Sequence, residues 1–361
     1  MSDFDAIHRE SSMPATTTAR NPRRRAMGVA IRVVGISAFL VVCALTASLV
    51  WGGPKPIPPM RSISDPFTGV SVEGMPALSR FAARDGTQLA YRRYVPANGT
   101  TERGSVMLVH GSSANSQSVH PLAQSFAAAG YTVYAFDIRG HGKSGEKGRI
   151  GYIGQLDDDL EDFMKATRPA KPRTLVGFSA GGGFALRVAG SQRGALFDNF
   201  LFMSPYVHHR AVTNRSNDSG GWVSIGIPRV MALVALNRVE VTRFNQLPVS
   251  SFAVSDNPEA DLTPWYSYAL AANFEPQSDY RAGIRSIAGP AEVIVGQEDE
   301  IFLADKFRPL FDEAGRKDVP VTVVPATGHI ALTLSDAGRT AAVAAVERLD
   351  ARSARGFSQT P

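Results

Sequence analysis

Cysteine is almost missing from these 361 residues. Cys43 is the only one, so no disulfide can form within the chain and no cysteine-ligated metal site can be built. Net charge is also small away from the N-terminus. Of a net charge of +5, the first 32 residues hold a surplus of three, from Arg9, Arg20, Arg23, Arg24, Arg25 and Arg32 against Asp3, Asp5 and Glu10. The remainder is nearly neutral and lacks the concentrated basic surface that neutralises phosphates, so no nucleic-acid partner is expected. No internal repeat is visible either, which excludes a repeat array.

Charge is missing altogether from "VVGISAFLVVCALTASLVW", the 19 residues from Val33 to Trp51. A helix needs roughly 20 apolar residues to cross a bilayer. The long basic tail in front and the length of the run favour an uncleaved signal anchor over a cleaved signal peptide. By the positive-inside rule, residues 1–32 form a cytoplasmic tail, 33–51 the transmembrane anchor, and everything beyond Trp51 lies outside the cytoplasm. Residues 52–76, rich in proline, glycine and serine, suit an extended linker.

Folded structure is expected over residues 77–352. "SRFAARDGTQLAYRRYVP" reads as two strands joined at Asp85-Gly86. The runs 105–110, 131–137, 173–178, 199–204, 291–296 and 320–325 are short and apolar, each with the look of a strand buried on both faces. Helix-like segments lie at Ser118–Ala129, Gln155–Thr167, Ala180–Ala189, Leu303–Ala314 and Ala337–Ala351. This alternation predicts an α/β fold: a mostly parallel, eight-stranded sheet with helices on both faces. An interval of about 85 residues between two of the strands far exceeds an ordinary connection and predicts an inserted cap over about 207–288. Residues 353–361 read as a loose tail.

"TLVGFSAGGGFAL" poses the chemical question. Three glycines, Gly181, Gly182 and Gly183, open a helix that each should weaken by about 1 kcal/mol relative to alanine. The segment Gly177-Phe178-Ser179-Ala180-Gly181 fits G-x-S-x-G at a strand-to-helix junction, where glycines let the two elements approach and a serine is held with its hydroxyl projecting. Such a serine becomes a nucleophile only when a base takes its proton and a third group orients that base. The expected chain order then points to the loop carrying Glu298, Asp299 and Glu300, with Asp299 preferred and both glutamates kept as alternatives, and to His329, the only histidine after that loop. The oxyanion requires two donors, expected from the backbone N–H groups of Ala180 and Ser112, with Ser113 as the alternative to Ser112.

"LVHGSS", "FDIRGHGKSG", "GFSAGG", "GQEDEI" and "TGHI", in this order, resemble the α/β-hydrolase superfamily over roughly Leu78 to Leu349, and most of all its monoacylglycerol lipase, lysophospholipase and serine aminopeptidase-like branch. The resemblance implies Ser179 as nucleophile, Asp299 as acid, His329 as base, the Ser112 and Ala180 amides as oxyanion hole, and a cap over the acyl site. The lipases of this branch usually place a glycine, an acidic residue and a histidine after the first His-Gly, where this chain has "HGSSANS".

Other polar clusters take plainer readings. His141 in "RGHGKS" shapes a loop, the pair His208-His209 lacks further ligands and belongs to the cap surface, and Asp157 to Asp162 occupy the first turns of a helix, where its dipole favours negative charge. No metal or other cofactor is expected, and no oligomeric state is inferred. The expected function is a membrane-anchored serine hydrolase of carboxylic esters, lipid or acylglycerol esters among them. The alternatives are a thioesterase, an amidase or aminopeptidase, a carbon–carbon hydrolase, or a non-catalytic ligand-binding relative.

Overall fold

The β-branched and aromatic runs form strands within a residue or two of their expected positions. The computed structural model describes residues 22–67, 70–215, 221–255, 257–275 and 279–357. Its strands are β1 (Leu78–Ala82), β2 (Gln88–Tyr94), β3 (Gly104–Val109), β4 (Tyr131–Phe136), β5 (Arg173–Phe178), β6 (Asn199–Met203), β7 (Val223–Ile225), β8 (Pro248–Phe252), β9 (Trp265–Ser267), β10 (Ala291–Gly296) and β11 (Val321–Val324). Eight of them form one sheet in the order β1-β2-β4-β3-β5-β6-β10-β11. Strands β1 and β2 are antiparallel to their neighbours and every other pairing is parallel. The carboxyl ends of β3, β5, β10 and β11 therefore lie along one edge, and this edge carries the site.

At the first hairpin, Gly86 sits at φ 84°, and the Asp85 carboxylate accepts the Thr87 N–H at 3.0 Å. Strands β3, β4, β6 and β10 are buried throughout, as expected of central parallel strands. Strand β11 departs from that expectation. It stands last in the sheet, with a strand neighbour on one side only, and Val323 is 42% exposed.

Helices Gln155–Thr167 and Ala180–Ala189 have the expected bounds. The acidic residues at the start of the first are not simply solvated there. Arginines pair with them: Arg187 with Asp157, Arg84 with Asp158, Glu161 and Asp162, and Arg139 with Asp159. The final helix, Asp336–Phe357, runs past Ala351 into the expected loose tail, of which residues 358–361 lie outside the described part.

Between β6 and β10 the insertion has a small antiparallel sheet, β7-β8-β9, together with helices Ile227–Asn237, Tyr268–Phe274 and Tyr280–Arg285. Ahead of β1, the expected extended linker contains a helical turn, Arg61–Ser64, continuing into a tighter turn, Asp65–Phe67. The cause is apolar packing: Ile63 joins the core, and Met60 and Phe67 pack against it.

The N-terminal unit, taken by itself, is helical. The helix spans Pro22–Trp51, and Val29–Trp51 is long and apolar enough to cross a membrane. It starts earlier than the uncharged run because Pro22 suits a first helical position and arginine is a good helix former. Residues 1–21 of the expected basic tail lie outside the described part.

Candidate active site

Strand β5 ends at Phe178, and the chain then turns sharply into helix Ala180–Ala189 through Ser179, whose backbone takes φ 55° and ψ −118°. This conformation is sparsely populated for any residue with a side chain and persists only where its surroundings impose it. They do so here by hydrogen bonds: Ser179 N–H donates to the Met203 carbonyl at 2.9 Å, and its own carbonyl accepts from Gly183 at 3.0 Å and Tyr206 at 2.9 Å. The glycines have the steric role expected of them. A Cβ on Gly177 would collide with the Gly181 carbonyl, one on Gly181 with the His110 carbonyl, and one on Gly183 with the Tyr206 carbonyl. Helix, strand and neighbouring loop approach more closely than any side chain permits.

His329 comes from the loop after β11. Its Nε2 lies 3.0 Å from Ser179 Oγ and its Nδ1 lies 2.9 Å from Asp299 Oδ2. The ring is 3% exposed and is flanked by Phe178 and Phe302. Asp299 follows β10 and is fully buried. Its second oxygen accepts the N–H groups of Ile301 at 2.9 Å and Phe302 at 2.8 Å. Burial alone would raise this carboxyl, but the His329 ring and the Phe302 amide outweigh it and hold the group below its ordinary value. Asp299 is thus the carboxylate that meets the imidazole. Glu300 holds the backbone instead, accepting the His329 N–H at 2.8 Å. Glu298 contributes only a backbone N–H, to the Thr327 carbonyl. Arg215 fixes the acidic loop from the insertion side through the Asp299 carbonyl at 2.6 Å.

The loop after β3 lies beside Ser179. Among the described residues no group accepts the N–H of Ser112 or of Ala180, and both residues adjoin Ser179 across or along the turn. Ser113 is different. Its N–H donates to Tyr266 Oη at 2.7 Å, and its hydroxyl donates to the Thr263 carbonyl. Tyr266 belongs to β9 and therefore brings the insertion onto this loop.

The Tyr266 hydroxyl also lies 2.6 Å from His141 Nε2, while His141 Nδ1 faces the Arg139 carbonyl at 3.2 Å. A carbonyl can only accept, so Nδ1 carries the proton and Nε2 takes the tyrosine O–H. Burial, then the nearby His110, holds His141 far below its ordinary pKa and so in this neutral form. His110 is also fully buried, which pushes it down to about 4, and its ring faces the Gly111 carbonyl at 2.8 Å. Asp137 ties the two loops together, accepting from Ser116 N–H at 2.8 Å and Lys143 N–H at 2.9 Å. His141 therefore shapes a loop, as expected, but through a partner that the sequence presents only as one apolar cap residue among several.

A cavity of about 710 Å³ opens beside Ser179 and His329, within the roughly 300–1,000 Å³ usual for small-molecule sites. Ser112, Trp222, Val254 and Ile330 line it, as do residues of the segment preceding β1. His208 and His209 stack on each other at 4.0 Å, with Tyr280 against His208, and no group of three metal-ligating side chains occurs among the described residues.

Comparison with known proteins agrees with this architecture. The family model described as serine aminopeptidase, S33 matches residues 100–333. A monoacylglycerol lipase of Mycolicibacterium smegmatis is 26% identical over 262 residues, covering 69% of this chain and 88% of that protein. Among solved structures, a soluble variant of monoglyceride lipase from Saccharomyces cerevisiae superposes with a TM-score of 0.61 at 17% identity, covering 79% of this chain and 98% of the other. The monoacylglycerol lipase of Paleococcus ferrophilus gives 0.54 at 23% identity, covering 73% and 99%. With the match covering well over half of its length, the chain belongs to the serine aminopeptidase S33 family and is a hydrolase of the α/β-hydrolase fold.

Proposed function

We propose that this chain is a membrane-anchored serine hydrolase that cleaves carboxylic esters with apolar acyl groups, acylglycerol-like lipid esters among them. The observation that carries the reading is the continuous line Ser179 Oγ, His329 Nε2, His329 Nδ1, Asp299 Oδ2, with steps of 3.0 and 2.9 Å, beside an open cavity. In the proposed cycle, His329 Nε2 takes the hydroxyl proton as Ser179 Oγ bonds to the acyl carbon. The oxyanion accepts from the Ser112 and Ala180 N–H groups, helped by the positive end of helix Ala180–Ala189. Asp299 stabilises the imidazolium, which then gives its proton to the departing alcohol. Water, deprotonated by the same ring, releases the acid and restores Ser179.

An ester is favoured by the apolar lining and by the monoacylglycerol lipase among the relatives. The aminopeptidase alternative needs an anion for the substrate's free amino group. Glu259 is the one carboxylate among the described lining residues, and it is exposed. A single exposed carboxylate contributes about 0–1 kcal/mol, too little to define such a site.

The insertion over about 207–288 serves as the cap in this reading, and the helix ending at Trp51 as the anchor, with residues before it cytoplasmic and the hydrolase domain on the opposite side. A fluorophosphonate should label the full-length protein in detergent, and Ser179→Ala and His329→Ala should each abolish labelling. Persistent labelling of Ser179→Ala rejects the assignment, and an unlabelled but folded wild type favours a non-catalytic binding protein. Nitrophenyl esters, thioesters and aminoacyl anilides then separate the leaving groups. A reporter fused after Pro361 that works only in the cytoplasm would overturn the orientation.

A further inference from the structure

The segment between the N-terminal helix and the first strand is built into the site. Ile63, Phe67, Val70 and Val72 line the same cavity as Ser179 and His329, together with Trp222 and Val254 of the insertion. Nothing in their sequence spacing requires this, since a Pro/Gly/Ser-rich tether needs no apolar inward face. The segment is also fastened at several points along its length. Lys55 N–H donates to Ser224 Oγ at 3.0 Å and Met60 N–H to the Ala253 carbonyl at 2.8 Å, joining its first half to the insertion. At its other end the Glu73 carbonyl accepts from Gln124 Nε2 at 3.1 Å and from His120 Nε2 at 3.2 Å, joining it to the helix after β3. Ile63 is 8% exposed, as buried as a core residue.

We propose that Ile63, Phe67, Val70 and Val72 form a specificity-determining wall that receives the acyl chain of the substrate, so that this chain selects esters with acyl groups of several carbons or more. The inference rests on the serine-hydrolase reading above and adds to it the residues that measure chain length. Apart from Ser71, the side chains that this segment gives to the cavity are aliphatic or aromatic, and the one ionisable residue in the sequence from Ile63 to Val72 is Asp65, which pairs with Arg61 on the exposed side. Such a surface attracts methylene groups and offers nothing to a charged or peptide-like substituent. Each methylene buried there should favour reaction by about fourfold until the cavity is filled.

The test compares the labelling rate of Ser179 by a methyl and by a dodecyl fluorophosphonate, using the full-length protein in detergent. Wild type should react faster with the dodecyl reagent. Val70→Trp, which fills the cavity from the wall side, should lower the dodecyl-to-methyl ratio at least tenfold. Phe67→Ala, a cavity-enlarging change, should shift the preference toward longer chains in a series from butyl to hexadecyl. Circular dichroism spectra and thermal melts matching wild type show that the variants are folded. An unaltered ratio in both variants overturns the wall, leaving the serine-hydrolase reading intact. A wild type that reacts with neither reagent overturns that reading and the wall with it.

Discussion

The hydroxyl of Tyr266 accepts the backbone N–H of Ser113 at 2.7 Å across 153 positions of sequence, and thereby ties the insertion to the loop that presents the Ser112 amide. A bond of this kind sets the aim of a donor without touching substrate. Removing the hydroxyl leaves a buried N–H and a buried imidazole nitrogen unpaired, at a cost of about 1–3 kcal/mol each. Tyr266→Phe is therefore expected to lower kcat on a small ester about tenfold with little change in KM, and to lower Tm. A kcat at the wild-type level in a variant with lowered Tm would show that Tyr266 serves only folding.

The three neighbouring acids should separate sharply. Asp299→Asn removes the carboxylate that holds the His329 tautomer and stabilises its cationic form, and should reduce kcat by about 10⁴-fold. Glu300→Gln keeps an acceptor for the His329 N–H and should cost less than tenfold; Glu298→Gln should be neutral. Equal losses for all three in steady-state kinetics would argue for a general electrostatic role instead.

Glycine positions in the turn and elsewhere should respond oppositely to one methyl group. Gly183→Ala drives a Cβ into the Tyr206 carbonyl, so backbone must move, and a loss of about 1–3 kcal/mol is expected. Gly283, in helix Tyr280–Arg285, takes no positive φ, and a methyl added there would meet no atom within 4 Å. Gly283→Ala should stabilise by about 0.5–1 kcal/mol. Thermal melts of the two variants decide the matter.

Stability should fall on mild acidification as buried histidines oppose protonation. An unfolded histidine protonates near pH 6.5, whereas folded His110 does so at about 4 and His141 is likewise held well below its ordinary value, because both are buried. Between these limits the unfolded state binds more protons, so stability is complete above pH 6.5 and declines as pH falls toward 4. The lowered Asp299 adds to this decline at the acid end, whereas Asp159 and Asp350, raised by burial, oppose it. Urea midpoints measured from pH 7.5 to 4.5 should drop steadily; a flat profile would contradict the neutral, buried state of these two rings.

The sequence made the sheet, the serine turn and the place of His329 legible because each depends on local rules: apolar runs for strands, glycines around Ser179, and a single histidine after the acidic loop. The choice among Glu298, Asp299 and Glu300 was less accessible, since adjacent side chains in a loop point in unrelated directions until the backbone is known. Tyr266 was hidden among apolar neighbours because its partner lies far away in the chain. The turn at Arg61–Ser64 was masked by proline and glycine around it, and only the burial of Ile63 reveals why the backbone coils there. The same limitation applies to Val323, whose exposure follows from β11 being last in the sheet order, a property that no local pattern encodes.

Any attempt to prepare the hydrolase without its apolar N-terminal helix must decide where to trim, and the fastening of residues 55–73 constrains that choice. Cutting immediately before Leu78 would keep every strand yet strip one side from the cleft, yielding a protein with altered selectivity that could be mistaken for the native catalyst. Beginning at or just before Lys55 retains the fastening and discards the apolar helix.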